Sequence, residues 1–125
     1  MMKSKKILVV DDDEGTIRLV TAVLESKGYE VIDAFDGLDA LVKIKKDHPD
    51  LVVLDVMMPE INGYDVCYQL RFNKDFGKIP IVLLTIRDQE LDKTLGQRVN
   101  IEYVPKPLDS KLLLKKVAQL LSVKD

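Results

Sequence analysis

Four apolar runs in this chain lead into residues suited to phosphate or metal chemistry. Ile7-Leu8-Val9-Val10 precedes Asp11-Asp12-Asp13, and Leu51-Val52-Val53-Leu54 precedes Asp55. Ile81-Val82-Leu83-Leu84 precedes Thr85, and Tyr103-Val104-Pro105 leads to Lys106-Pro107. Carboxylates gathered at one place repel each other, so one stays protonated unless a cation enters. Hard oxygen ligands with room for water suit Mg²⁺, which takes one or two carboxylates and keeps several waters. Such a cation offsets charge as a phosphoryl group approaches. An aspartate can itself be the nucleophile, giving an acyl phosphate. A lysine opposite would hold phosphate oxygens as a point charge, and a threonine hydroxyl would donate one more hydrogen bond. Taken singly, each residue has a plainer reading as a solvated turn residue or helix cap. Together they require the four runs to end on one rim of a parallel sheet.

The segments between the runs have helical spacing. Ile17, Val20, Val23 and Leu24 share one face of a helix from about Asp13 to Lys27. Asp13 is expected to cap it, and Gly28 to stop it at positive φ. A strand over Glu30 to Ala34 follows. Leu38, Leu41, Val42 and Ile44 then mark a second helix, which fades into Lys45-Lys46-Asp47-His48-Pro49. After Asp55, Met57-Met58-Pro59-Glu60-Ile61-Asn62-Gly63 is a loop rich in breakers. Asn62 caps a third helix with Val66, Cys67, Leu70 and Phe72 inward. Pro80 opens the fourth strand. A fourth helix over about Asp88 to Gln97 rests on only Leu91 and Leu95, and Gly96 weakens it. The last helix, about Asp109 to Ser122, carries Leu112, Leu113, Val117, Leu120 and Leu121 and is capped by Asp109 or Ser110.

Alternating β and α elements with continuously apolar strands imply a parallel sheet covered on both faces. The expected fold is α/β: a doubly wound, flavodoxin-like, five-stranded sheet of order 2-1-3-4-5 within three αβα layers. Its binding crevice lies beyond strands 1 and 3, where Asp11-Asp12 and Asp55 stand. The 125 residues suit a single domain, and 46% hydrophobic with 32% charged residues supports a packed core. A net charge of -2 gives no electrostatic reason to bind nucleic acid or anionic membrane. No apolar stretch approaches the roughly 20 residues of a membrane span, and the basic N-terminus is no signal peptide. The lone Cys67 excludes an internal disulfide and suits a reducing compartment, so a cytoplasmic location is expected.

The chain resembles the receiver domain of two-component response regulators, of the chemotaxis-regulator-like kind, over residues 1–125. The matching pieces are Ile7 to Asp12, Asp55-Val56-Met57-Met58-Pro59 with Gly63 following, Leu84-Thr85, and Tyr103 to Pro107. That family has the same 2-1-3-4-5 order, so the topology and the resemblance are not independent. The resemblance implies that Asp55 accepts a phosphoryl group from a partner sensor histidine kinase or histidine phosphotransfer protein. It implies direct Mg²⁺ ligation by Asp12 and Asp55, a contribution through water from Asp11, and one from the Met57 carbonyl. Lys106 would pair with the phosphoryl group. Thr85 would swing toward it and Tyr103 would follow inward, switching the face built from the fourth helix, fifth strand and last helix. A downstream effector or output domain would read that face, through which a homodimer could also form. Phosphorylation adds roughly -1.5 to -2 charge, and the Thr85–Tyr103 pair is the two-state element it biases.

Departures from the family pattern bear on kinetics and on that face. Ile86 stands where the family has a small residue, and should narrow access to the site. Met57 cannot orient an attacking water, and Arg87 could cover the phosphoryl group. Val99-Asn100 replaces the usual Gly-Ala ahead of the fifth strand, in a stretch one residue short. A long-lived phosphoryl state is the expectation. His48 reads as a solvated loop residue, Cys67 as a small core residue, and Lys111, Lys115 and Lys116 as a polar helix face. No helix-turn-helix pattern follows Ser122, so output is expected by docking or through a domain outside this chain.

The rival reading is a small Mg²⁺-dependent phosphohydrolase of the haloacid-dehalogenase type. Those enzymes use a strand-end Asp-x-Asp-Gly-Thr, and Asp11-Asp12-Asp13-Glu14-Gly15-Thr16 has one residue too many before its glycine. A receiver-like scaffold that is never phosphorylated is a third reading, at odds with the complete set Asp11, Asp12, Asp55, Thr85 and Lys106. An EF-hand is excluded, because Gly15 falls at the third ligand position. The receiver is therefore not expected to be an enzyme beyond its own phosphorylation and dephosphorylation.

Overall fold

The computed structural model describes residues 4–86 and 100–122. Five strands, β1 (Lys6–Val10), β2 (Glu30–Ala34), β3 (Leu51–Asp55), β4 (Ile81–Ile86) and β5 (Ile101–Lys106), form one sheet of order β2-β1-β3-β4-β5. Every neighbouring pair is parallel. The helices are α1 (Glu14–Glu25), α2 (Gly37–Asp47), α3 (Gly63–Arg71) and α4 (Ser110–Ser122). This is the expected doubly wound architecture. The helix expected over Asp88 to Gln97, together with Arg87 and Val99, lies outside the described residues.

Strand alternation sends successive side chains to opposite faces. Leu8, Val52, Leu54 and Leu83 meet Ala40 and Ile44 of α2 and Val66, Cys67 and Leu70 of α3. On the other face Val9, Val53 and Val82 meet Ile17, Val20 and Leu24 of α1 and Leu113, Val117 and Leu120 of α4. Both faces are covered, which is why all five residues of β3 are buried. No helix among the described residues is long and apolar enough to cross a membrane.

The helix ends follow local chemistry. Asp13 caps α1 by accepting from the Thr16 N–H and hydroxyl at 3.1 and 2.7 Å. Gly28 takes φ 87 just beyond that helix. Asn62 accepts from the Asp65 N–H at 2.9 Å, and the Asp65 carboxylate accepts from the Asn62 N–H at 3.0 Å, closing a capping box. Asp109 accepts from the Leu112 N–H at 3.1 Å and so caps α4. His48 leaves α2 at φ 48, exposed, with its ring centroid 5.6 Å from that of Phe76.

One expectation, the inward Phe72, is corrected, and α2 is turned differently from what its hydropathy alone would suggest. Leu38 and Val42 do not face inward; they are 63% and 59% exposed. The buried residues of α2 are Gly37, Ala40 and Ile44, with Leu41 half-buried. Small residues at 37 and 40 let the helix lie close, since a Cβ on Gly37 would stand 2.7 Å from the Ile61 carbonyl oxygen. That close approach turns Leu38 and Val42 to the outside. Phe72 is also outside, at 76% exposure. It caps the C-terminus of α3 beyond the last inward turn, stacked on Tyr68 with ring centroids 6.5 Å apart.

Candidate functional site

Parallel register puts the chemistry on one rim. Val10 is level with Leu54, so Asp11 and Asp55 follow at the same height on neighbouring strands. Asp55 is level with Leu84, and Thr85 comes next on β4. Ile86 is level with Lys106 at the end of β5. Asp11 continues the parity of Ile7 and Val9, Asp55 that of Val53, and Lys106 that of Val104. All three therefore project on the α1–α4 side of the sheet. Thr85 continues the parity of Ile81 and Leu83, and Tyr103, half-buried, packs in the same α2–α3 layer. The two expected switch residues thus share a face on adjacent strands.

Asp11 is fully buried, and Asp55 and Thr85 are each 5% exposed, while Asp12 is exposed. One oxygen from each of Asp11, Asp12 and Asp55 falls within 4.8 Å of the others. The Lys106 ammonium sits 3.1 Å from Asp11 and 3.2 Å from Asp55. One cation therefore faces two buried acids. Burial raises the Asp11 carboxyl above its ordinary value of 3.8, against the opposing pull of the Asp13 N–H and Lys106. Burial and then the Asp11 charge raise Asp55 likewise, against Lys106 and the Met57 N–H. For Lys106 burial alone acts downward, but hydrogen bonds and charges from Asp11 and Asp55 together carry it above 10.5. The set is short of positive charge, and its donors are all hard oxygens. A divalent cation of the Mg²⁺ type fits it.

The supporting parts were only partly visible in the sequence. The Asp13 N–H donates to Asp11 at 2.8 Å, so the α1 cap also holds the buried acid. Gly63 lies against the peptide that follows Asp55. A Cβ there would stand 2.4 Å from the Asp55 carbonyl oxygen and 2.8 Å from the Val56 Cα, and the Gly63 N–H donates to the Val56 carbonyl at 2.9 Å. The matching glycine was legible as a motif position, but its steric reason was not. Met57, two residues after Asp55, is 59% exposed, and Ile86, one residue after Thr85, is 50% exposed. The Lys106–Pro107 peptide is cis.

The family description of the response regulator receiver domain matches residues 7–118. The chain belongs to the response regulator receiver domain family. This receiver is 44% identical over 119 residues to the alkaline phosphatase synthesis transcriptional regulatory protein PhoP of Bacillus subtilis (strain 168), covering 94% of the receiver and 49% of PhoP. It is 36% identical over 118 residues to protein PilH of Pseudomonas aeruginosa, covering 94% of the receiver and 98% of PilH. The receiver thus spans about half the length of PhoP and nearly all of PilH. Among solved structures, the chemotaxis response regulator CheY4 of Vibrio cholerae superposes with a TM-score of 0.83 at 31% identity, covering 94% of the receiver and 99% of CheY4. Receivers of this family work in phosphorylation-based two-component signalling.

Proposed function

We propose that Asp55 accepts a phosphoryl group from a phosphohistidine on a sensor histidine kinase or histidine phosphotransfer protein. The observation that carries this reading is a buried Asp55 carboxylate 3.2 Å from Lys106 and beside Asp11 and Asp12. An Asp55 oxygen attacks phosphorus, the P–N bond to the imidazole breaks, and the imidazole leaves with the electron pair and takes up a proton. The product is an acyl phosphate. Lys106 then holds a phosphoryl oxygen as a point charge. Asp12 and Asp55 would hold Mg²⁺ directly, Asp11 through water, and Met57 by its carbonyl. When bound, Mg²⁺ supplies neutralising charge for the phosphoryl oxygens. Asp11, pinned by the Asp13 N–H, keeps Lys106 in place.

Thr85 turns its hydroxyl to the phosphoryl group, and Tyr103, on the same face of the adjacent strand, follows inward. A downstream effector or output domain reads the changed surface near β5 and α4. Ile86 lies level with Lys106 and narrows the approach of water, as does Met57. Ile86→Ala is expected to shorten the phosphoryl lifetime, measured as loss of label from the isolated protein. Equal lifetimes would remove Ile86 from the account.

The phosphohydrolase reading loses support from Asp13, whose carboxylate is committed to Thr16 as the α1 cap. A generic phosphomonoester separates the two. The receiver reading expects no multiple turnover in the presence of Mg²⁺. Sustained release of phosphate that depends on Asp11 or Asp13 would favour the hydrolase.

A further inference from the structure

Leu84 is level with Asp55 on the neighbouring strand, and both side chains project on the α1–α4 side of the sheet. Beside Leu84 lies a cavity of about 130 Å³, lined also by Thr16 and Leu19 of α1 and by Lys106, Pro107 and Leu108. Leu84 is fully buried and Leu19 is 50% exposed, so the lining runs from the core to the surface. Its polar groups are already committed. The Thr16 hydroxyl donates to the Asp13 carboxylate at 2.7 Å, and the Lys106 ammonium lies 3.1 and 3.2 Å from Asp11 and Asp55. What remains for a ligand is hydrocarbon: three leucines, the Pro107 ring, the Thr16 methyl and the stem of Lys106.

Lys106 belongs to this cavity and to the acidic rim at once. A donor whose phosphoryl group rests on the ammonium can lay an apolar tail along the lysine stem, toward Leu84. The product at Asp55 is an acyl phosphate, so a donor with a bond of matching energy is itself an acyl phosphate. Water occupies about 30 Å³ in the liquid, so the cavity takes roughly four atoms of that size. An acetyl group carries one carbon beyond its carboxyl carbon and leaves most of the space empty. A butyryl group carries three and fills it.

We propose that this cavity is a subsite for the acyl chain of small-molecule phosphodonors, short aliphatic acyl phosphates of the butyryl class. The proposal rests on the reading of Asp55 as phosphoryl acceptor. An Asp55 oxygen attacks phosphorus, the P–O bond to the donor's carboxyl group breaks, and the carboxylate leaves with the electron pair. That leaving group needs no proton. Each methylene taken out of water favours binding by about fourfold, so the two that distinguish butyryl from acetyl are worth about tenfold.

Phosphorylation of Asp55 by acetyl phosphate and by butyryl phosphate, each with Mg²⁺ and the full chain, tests the subsite. The expected result is a second-order rate constant about tenfold higher for butyryl phosphate. Leu19→Trp places an indole across the cavity from an exposed position, and the butyryl-to-acetyl ratio should then fall to about one; a thermal melt checks that the variant is folded. Equal rates for the two donors in the wild type overturn the subsite, leave Asp55 as acceptor, and assign the cavity to a side chain of a protein donor. A butyryl advantage that survives Leu19→Trp in folded protein places the selectivity elsewhere and overturns the subsite equally. Absence of any adduct on Asp55 from either donor overturns the acceptor reading, and the subsite with it.

Discussion

Asp11 and Asp55 share one ammonium group, and their raised carboxyls tie the site to stability. A carboxyl whose folded value lies above 3.8 binds its proton more tightly in the folded state than in the unfolded one. Its stabilising contribution is complete below pH 3.8 and is lost as pH rises through the folded values. Metal-free protein should therefore lose part of its stability between pH 3.8 and neutrality. Asp55→Asn removes one of the competing acids, so thermal melts in chelator should show a flatter pH profile and a higher melting temperature near neutrality. Added Mg²⁺ should recover stability in the wild type by mass action, and much less so in Asp55→Asn. Asp13 works in the opposite sense: hydrogen bonds from Thr16 lower its carboxyl, so its contribution holds above 3.8 and fades as pH falls. The acids, Lys106 and the Asp13 cap were legible because strand ends and cap positions are written in residue type. Asn100 was not. It adopts φ 68, donates to the Lys78 carbonyl at 3.1 Å, and accepts from the Ile81 N–H at 2.8 Å. Asn is among the few side chains that tolerate the left-handed region. Asn100→Ala should cost about 1–2 kcal/mol in denaturant unfolding, and Asn100→Gly less.

At the scale of elements, two glycines separate packing from positioning. Gly37 presses α2 onto Ile61, and Gly63 presses α3 onto the peptide after Asp55. Either glycine replaced by alanine should cost about 1–3 kcal/mol through overpacking. Only Gly63→Ala should also weaken Mg²⁺ affinity, because it displaces the Asp55–Met57 backbone. Isothermal titration of both variants tests the difference, and equal affinities would assign Gly63 to packing alone. The capping box fixes the start of α3, and Asn62→Ala should lower stability by about 1 kcal/mol. Helix existence was readable from apolar spacing, but the facing of α2 was not. Leu38, Leu41, Val42 and Ile44 suggest one inward face by hydrophobicity, whereas the close approach allowed by Gly37 and Ala40 selects another. Hydropathy does not record how near two backbones can come.

For the whole molecule, topology converts distant sequence into one site. The register of β1 with β3, and of β3 through β4 to β5, brings Lys106 to Asp11 across 95 positions of chain. That convergence was predictable because parallel strands with covered faces allow few orders, and the crevice falls where the order reverses. The central claim is that Asp55 is the phosphoryl acceptor. Its most direct measurement is peptide mapping by mass spectrometry after exposure of the chain to Mg²⁺ and a small acyl phosphate. The expected result is a single phosphoryl adduct on Asp55, absent without Mg²⁺ and absent in Asp55→Asn. An adduct on another residue, or none on Asp55 under conditions that keep the chain folded, would contradict it.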